Sequence, residues 1–153
     1  MPLASARLAF EQLEVRVGYV FRDGALLKEA LTHKSYRNEH REQVAKDNER
    51  LEFLGDAVLG LLIGHLLMDR FASLSEGELS MMRAQIVNEN GLARVATQIG
   101  LGEWLFLGRG EMQTGGRSKK SILADACEAL LGAVYLDGGF LAVYEVVKAL
   151  FGE

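Results

Sequence analysis

Apolar residues recur at helical spacing along nearly the whole chain, and the strict alternation of a half-buried strand is absent. The pattern predicts a first helix over about Ala4–Val17, stopped at Gly18. A second follows Asp23, a good N-cap, through Leu26, Leu27, Ala30 and Leu31. Polar residues from Ser35 to Lys46 read as a loop or a short exposed helix. The dominant element starts near Asp47 or Asn48 and runs to about Arg70, with Leu51, Leu54, Val58, Leu62 and Leu66 on its buried side. Ser73 and Ser75 each stand three residues before a glutamate, Glu76 and Glu78, so two overlapping capping boxes mark the next helix, which passes Met82 and Ile86 toward Asn88. Another runs over about Asn90–Ile99, with Gly100 just past its end. Gly108 to Lys120 is glycine-rich and basic and reads as a surface loop. A last long helix covers about Ser121–Leu136, closed by Gly138 and Gly139, and a short one ends the chain. The expectation is a single all-α domain over residues 1–153.

Composition agrees with one domain: 153 residues, 49% hydrophobic and 25% charged. Pro2 is the only proline, so no later helix need be broken by a missing amide. The single cysteine, Cys127, excludes an intrachain disulfide, and Met1 to Glu11 has no apolar leader segment. The longest stretch free of charged residues, Ala57 to Met68, falls short of the ~20 residues a bilayer span needs, so a core helix, no membrane and a cytoplasmic setting are expected.

Acidic residues carry the candidate chemistry. Glu49, Glu52 and Asp56 fall within about 60° of arc on the dominant helix, and Asp125 and Glu128 are an i, i+3 pair on the last long one. A glycine follows one turn after the last acid of each helix, Gly60 after Asp56 and Gly132 after Glu128. Interior helical glycine costs roughly 0.5–1 kcal/mol against alanine, so close approach of the two helices at Gly60 and Gly132 is the expected reason for both. That approach would gather four carboxylates, which cannot all stay ionised without a cation. Oxygen ligands alone select Mg²⁺ or Mn²⁺. The three histidines, His33, His40 and His65, stand away from both acidic segments, which leaves no Glu-x-x-His di-iron pattern. Acids at these spacings also decorate solvated helix faces, and spacing alone leaves both readings open. Cys127 and Trp104 read as packing residues.

The segment Asn48-Glu49-Arg50-Leu51-Glu52-Phe53-Leu54-Gly55-Asp56 resembles the signature motif of ribonuclease III, the double-stranded-RNA endonuclease. Leu31-Thr32-His33-Lys34-Ser35, Ser75-Glu76-Gly77-Glu78-Leu79-Ser80 and Ser121-Ile122-Leu123-Ala124-Asp125-Ala126-Cys127-Glu128-Ala129-Leu130 agree in order and spacing, so the likeness spans essentially the whole chain. The resemblance implies the ribonuclease III endonuclease fold as a homodimer, with Glu52, Asp56, Asp125 and Glu128 as ligands of Mg²⁺, for which Mn²⁺ can substitute. Within that set, Asp56 and Glu128 match the pair essential for cleavage. Glu49 and Glu76 match two further acids near the cleavage site, Glu76 serving the partner's half of a shared valley. Glu76 also reads as the N3 residue of a capping box. Phe53 matches an aromatic that plugs a socket on the opposing subunit; an ordinary core Phe is the plainer reading.

The implied activity is metal-dependent hydrolysis of double-stranded RNA to 5′-phosphate and 3′-hydroxyl ends with short 3′ overhangs. Arg117, Lys119 and Lys120 in the glycine-rich loop are candidate phosphate contacts, a solvated loop being the alternative. Full-length bacterial members add a double-stranded-RNA-binding domain after the nuclease domain. None is present by Glu153, so weaker RNA affinity is expected. One rival is a non-catalytic domain of the same fold that binds RNA or a protein. The other is an all-α nucleotide phosphohydrolase, for which the usual His-Asp dipeptide is missing. The formal charge of −4 excludes a protein that grips RNA by bulk positive charge. Without Glu52, Asp56, Asp125 and Glu128 the chain is neutral, so its grip on RNA should depend on cations at those acids.

Overall fold

A computed structural model describes residues 3–152, and side-chain surroundings from residue 10 onward. The expectation of no leader rests partly on Met1 and Pro2, which lie outside the described residues. Among the described residues nine α-helices follow one another: α1 (Leu3–Val17), α2 (Gly24–Leu31), α3 (Lys34–Glu39), α4 (Glu49–Arg70), α5 (Glu76–Ile86), α6 (Glu89–Gln98), α7 (Arg109–Gln113), α8 (Lys120–Gly138) and α9 (Phe140–Phe151). Among the described residues the only β pairing is a lone parallel bridge between Thr32 and Phe106. The all-α expectation therefore holds.

Local chemistry explains most boundaries. Gly18 and Gly100 take positive φ, +86° and +67°, at the ends of α1 and α6. The Asp23 carboxylate accepts from the Ala25 amide at 3.0 Å, and the Asn88 side chain accepts from Gly91 at 2.9 Å. At α5 one capping box forms, between Ser75 and Glu78. Ser73 lies outside the helix and Glu76 is its first residue, so the second expected box, with Glu76 at N3, does not exist.

The core is organised by α8. Every residue from Ile122 to Val134 except Asp125 is buried, as for a helix surrounded by other elements. It packs against α4, α2, α6 and α9. On α4 the buried stripe is Leu51, Val58, Leu59, Leu62, Ile63 and Leu67. Leu54 and Leu66, expected in the core, are half-buried at its edge. By length and composition α4 is apolar enough to cross a bilayer. Its packing on α8, α5 and α9 and the acids in its first turns identify a core helix instead.

The segment expected as a loop after Gly108 is instead ordered as α7 and a 3₁₀ turn over Gly116–Ser118. Tertiary contacts impose this order. The Arg117 guanidinium donates to the carbonyls of Gly102 and Leu105 at 2.9 and 2.8 Å, and the Arg109 amide donates to the Glu39 carboxylate at 2.8 Å.

Candidate metal centre

Two glycines set the crossing of α4 and α8. A Cβ at Gly55 would overlap the carbonyl of Glu128, and one at Gly132 would overlap the carbonyl of Leu51. As α4 advances from Leu51 to Gly55, its neighbour on α8 recedes from Gly132 to Glu128, so the helices cross antiparallel with their backbones touching. Gly132 does what its position predicts. Gly60 does not, since a Cβ there would meet nothing within 4 Å. The close-approach residue on α4 is Gly55, which lies on the buried face between the acids rather than one turn beyond them.

Backbone contact at this point brings the acids of the two helices together. Glu52, Asp125 and Glu128 each offer an oxygen, and the three oxygens lie within 4.8 Å of one another. Glu52 faces Asp125 across the crossing, and Glu128 faces Asp56, so the carboxyls of each pair compete for the same space and charge. Burial, reinforced by Asp125, Glu49 and Asp56, pushes the Glu52 carboxyl up to about 7. Burial and the Asp56 carboxylate push Glu128 up to about 8. Asp125 is also raised, chiefly by burial, while the Glu52 carboxyl facing it opposes the shift. Without a cation, then, the cluster holds protons at neutral pH because packing and mutual repulsion disfavour the full charge. A purely carboxylate set of this kind fits a hard divalent ion, which would relieve both penalties. Cys127 sits between two of these acids in sequence but is wholly buried, its thiol raised to about 12 by that burial, and it serves packing.

The acids line an open cleft of about 760 Å³. Glu49 is exposed on its rim, as is Lys119, whose ammonium pairs with Glu111. His33, Lys34 and Glu111 also line the cleft, and none of the three is identified by the sequence patterns. His33 lies within the Leu31–Ser35 segment, so its part in the resemblance was the available signal; its distance in sequence from both acidic helices concealed it. The other expected residues are scattered. Glu76 is exposed at the start of α5, accepts from the Ser80 hydroxyl at 3.1 Å, and is not among the residues lining this cleft. Lys120 donates to Asn90 at 3.1 Å, and Arg117 is committed to backbone carbonyls. Phe53 is 82% exposed on α4, so it is not a core residue. Trp104 packs against the core beside Phe10.

A helical domain with an open cleft at a helix crossing, and a cluster of carboxylates within it, defines a class suited to hard-cation chemistry. The Ribonuclease-III-like family model matches residues 23–153. The chain is 55% identical to Ribonuclease 3 of Syntrophobacter fumaroxidans over 141 residues, covering 92% of this chain and 58% of that protein. Against Ribonuclease 3 of Myxococcus xanthus it is 53% identical over 141 residues, covering 92% and 54%. The fold matches the nuclease domain of ribonuclease III from Campylobacter jejuni with a TM-score of 0.87 and 43% identity, covering 93% of this chain and 95% of that one. Dicer from Pichia stipitis matches with a TM-score of 0.63 and 27% identity, over 86% of this chain and 55% of that one. The chain belongs to the ribonuclease III family. It spans a little over half the length of these two curated relatives.

Proposed function

We propose that this chain is the catalytic domain of a divalent-metal-dependent endoribonuclease that hydrolyses double-stranded RNA to 5′-phosphate and 3′-hydroxyl ends with short 3′ overhangs. The observation that carries this reading is the carboxylate cluster itself. Acids crowded enough to hold protons at neutral pH destabilise the fold, and they make chemical sense as a cation site. Glu52, Asp56, Asp125 and Glu128 would hold Mg²⁺, with Mn²⁺ able to substitute. The bound ion would acidify a water and offset charge building on the phosphate. Asp56 and Glu128 form the essential pair, and Glu49 adds charge at the rim. Lys119 and Lys34 give the cleft wall its positive charge toward phosphates. Lys120, beside the cleft, is a secondary phosphate contact, while Arg117 braces the turn between α7 and α8 that carries Lys119. Recognition of A-form shape and 2′-hydroxyls, more than base sequence, suits so small a basic surface.

The same reading makes the enzyme a homodimer. Phe53 is exposed beside a groove of about 990 Å³ that includes Leu26, Leu51, Leu54 and Leu136. Exchange of the two Phe53 side chains between subunits would cover both apolar surfaces, and Glu76 would then face the second copy's half of the RNA valley. A cytoplasmic setting goes with RNA processing and with a single, buried thiol. The direct test supplies long double-stranded RNA with Mg²⁺, with Ca²⁺ or with EDTA. Cleavage in Mg²⁺, and none in EDTA, is expected. Binding without cleavage in every condition would replace the enzyme with a non-catalytic RNA-binding domain. Glu128→Gln keeps the shape of the site and removes one ligand charge, so full activity in that variant would overturn the metal-site assignment.

A further inference from the structure

His33 stands on the wall of the cleft among acids, and its surroundings fix the ring more tightly than packing requires. Its backbone amide donates to the Phe106 carbonyl at 3.0 Å, next to the Thr32–Phe106 bridge. Its Nδ1 caps α3 by accepting from the Ser35 amide at 3.1 Å, and the Ser35 hydroxyl lies 2.7 Å from the same nitrogen. That hydroxyl oxygen already accepts from the Gly108 amide at 2.9 Å. An Nδ1 that accepts a backbone N–H carries a lone pair, so the Ser35 hydroxyl donates to it as well. The ring proton of the neutral tautomer therefore sits on Nε2. Burial favours the neutral ring, lowering the His33 pKa against the opposing pull of Glu111, Asp125 and Asp47 and with the help of Lys34. Among the described residues no side chain or carbonyl accepts from Nε2.

We propose that His33 is a substrate-contacting residue whose Nε2–H donates to a phosphate oxygen of the RNA strand lying in the cleft. The inference rests on the double-stranded-RNA reading of the site. The chemistry of the wall explains why a neutral donor stands here. Every further positive charge beside the acids would repel the cation they are built to hold, whereas a neutral N–H can steady a phosphate oxygen without competing with it. Ser35 and Gly108 keep the ring from turning its lone pair toward that anion.

Two substitutions separate this role from the cap. Asn is among the best N-cap residues. His33→Asn therefore keeps an acceptor near the Nδ1 position and has no atom that reaches Nε2. His33→Gln extends an amide N–H toward the Nε2 position and gives up the cap. With the parent cutting double-stranded RNA in Mg²⁺, H33N is expected to unfold at the parent's temperature, to keep the parent's half-saturating Mg²⁺ concentration, and to lose about 10- to 100-fold in kcat/KM, the range for a hydrogen bond to a charged group. H33Q is expected to recover most of that loss. An H33N protein as active as the parent would reduce His33 to a cap and overturn the inference alone. A raised Mg²⁺ requirement in H33N would overturn it too, making His33 a positioning residue for Asp125. A parent that cuts no double-stranded RNA would overturn the underlying reading, and this inference with it.

Discussion

Helices α8 and α5 carry the same kind of residue in opposite surroundings. On α8, Glu128 is 8% exposed and held near pKa 8 by burial and by Asp56. On α5 no residue is fully buried, and Glu76 faces solvent with a serine hydroxyl for company. The residue type is nearly constant, and the chemistry differs because α8 is enclosed by four helices while α5 lies on the surface. An acid becomes suited to holding a cation when packing removes its water and brings other acids near. On the surface it remains an ordinary charge until a second molecule covers it.

The largest effect should come from the contact that creates this difference. Gly55→Ala forces a methyl into the Glu128 carbonyl, and backbone cannot yield as a side chain can. A loss of about 3 kcal/mol or more in unfolding free energy is expected by chemical denaturation, at or beyond the upper end for overpacked cores. Gly60→Ala on the same helix and Gly77→Ala on α5 meet nothing within 4 Å. Both should be neutral or stabilising by up to roughly 1 kcal/mol. Equal losses at Gly55 and Gly60 would mean that the crossing lies elsewhere.

Those glycines also mark the limit of what the chain's pattern reveals. Helix ends were legible because caps are local: Asp23, Ser75 and Gly100 act within one turn of themselves. Glu52, Asp56, Asp125 and Glu128 line one cleft because angular position follows from helical periodicity. Periodicity does not say at which height two helices touch, so Gly60 was paired with Gly132 where Gly55 makes the contact. The order of α7 was hidden for a related reason, since it depends on Arg117 reaching carbonyls of an earlier segment. His33 reaches the cleft through a backbone pairing with Phe106 that no local pattern encodes.

A middle-sized effect tests the cost of the acids. Glu52 and Glu128 have folded-state pKa values of about 7 and about 8 against an ordinary 4.5. The folded chain therefore keeps protons that the unfolded chain has released. As far as these two groups decide it, stability without metal should be fully present below about pH 4.5 and should fall as pH rises toward 8. Thermal unfolding in EDTA at pH 5 and pH 8 measures the slope, and Mg²⁺ at pH 8 should restore much of the loss. Glu128→Gln should flatten the slope and gain about 1 kcal/mol at pH 8 without metal, well below the full shift because the cleft is open to water. Glu76→Gln should change stability by less than about 0.5 kcal/mol, as surface substitutions do. A metal-free protein equally stable at both pH values would remove the distinction between the two acids.

The smallest effect on the folded chain itself is expected at Phe53, where the consequence for assembly should be large. With 82% of its surface in water, the side chain contributes little to folding, and Phe53→Ala should leave monomer unfolding within about 0.5 kcal/mol of the parent. A buried Phe would lose about 3–5 kcal/mol on the same change. Sedimentation should nonetheless move toward the monomer, because the removed ring is the apolar group that a second copy would cover. Loss of the dimer without loss of the fold would put Phe53 with Glu76, among residues whose role depends on the partner. An unchanged sedimentation profile would leave the exposed ring without a partner and would remove the reason for assigning Glu76 to the opposite half of the RNA valley.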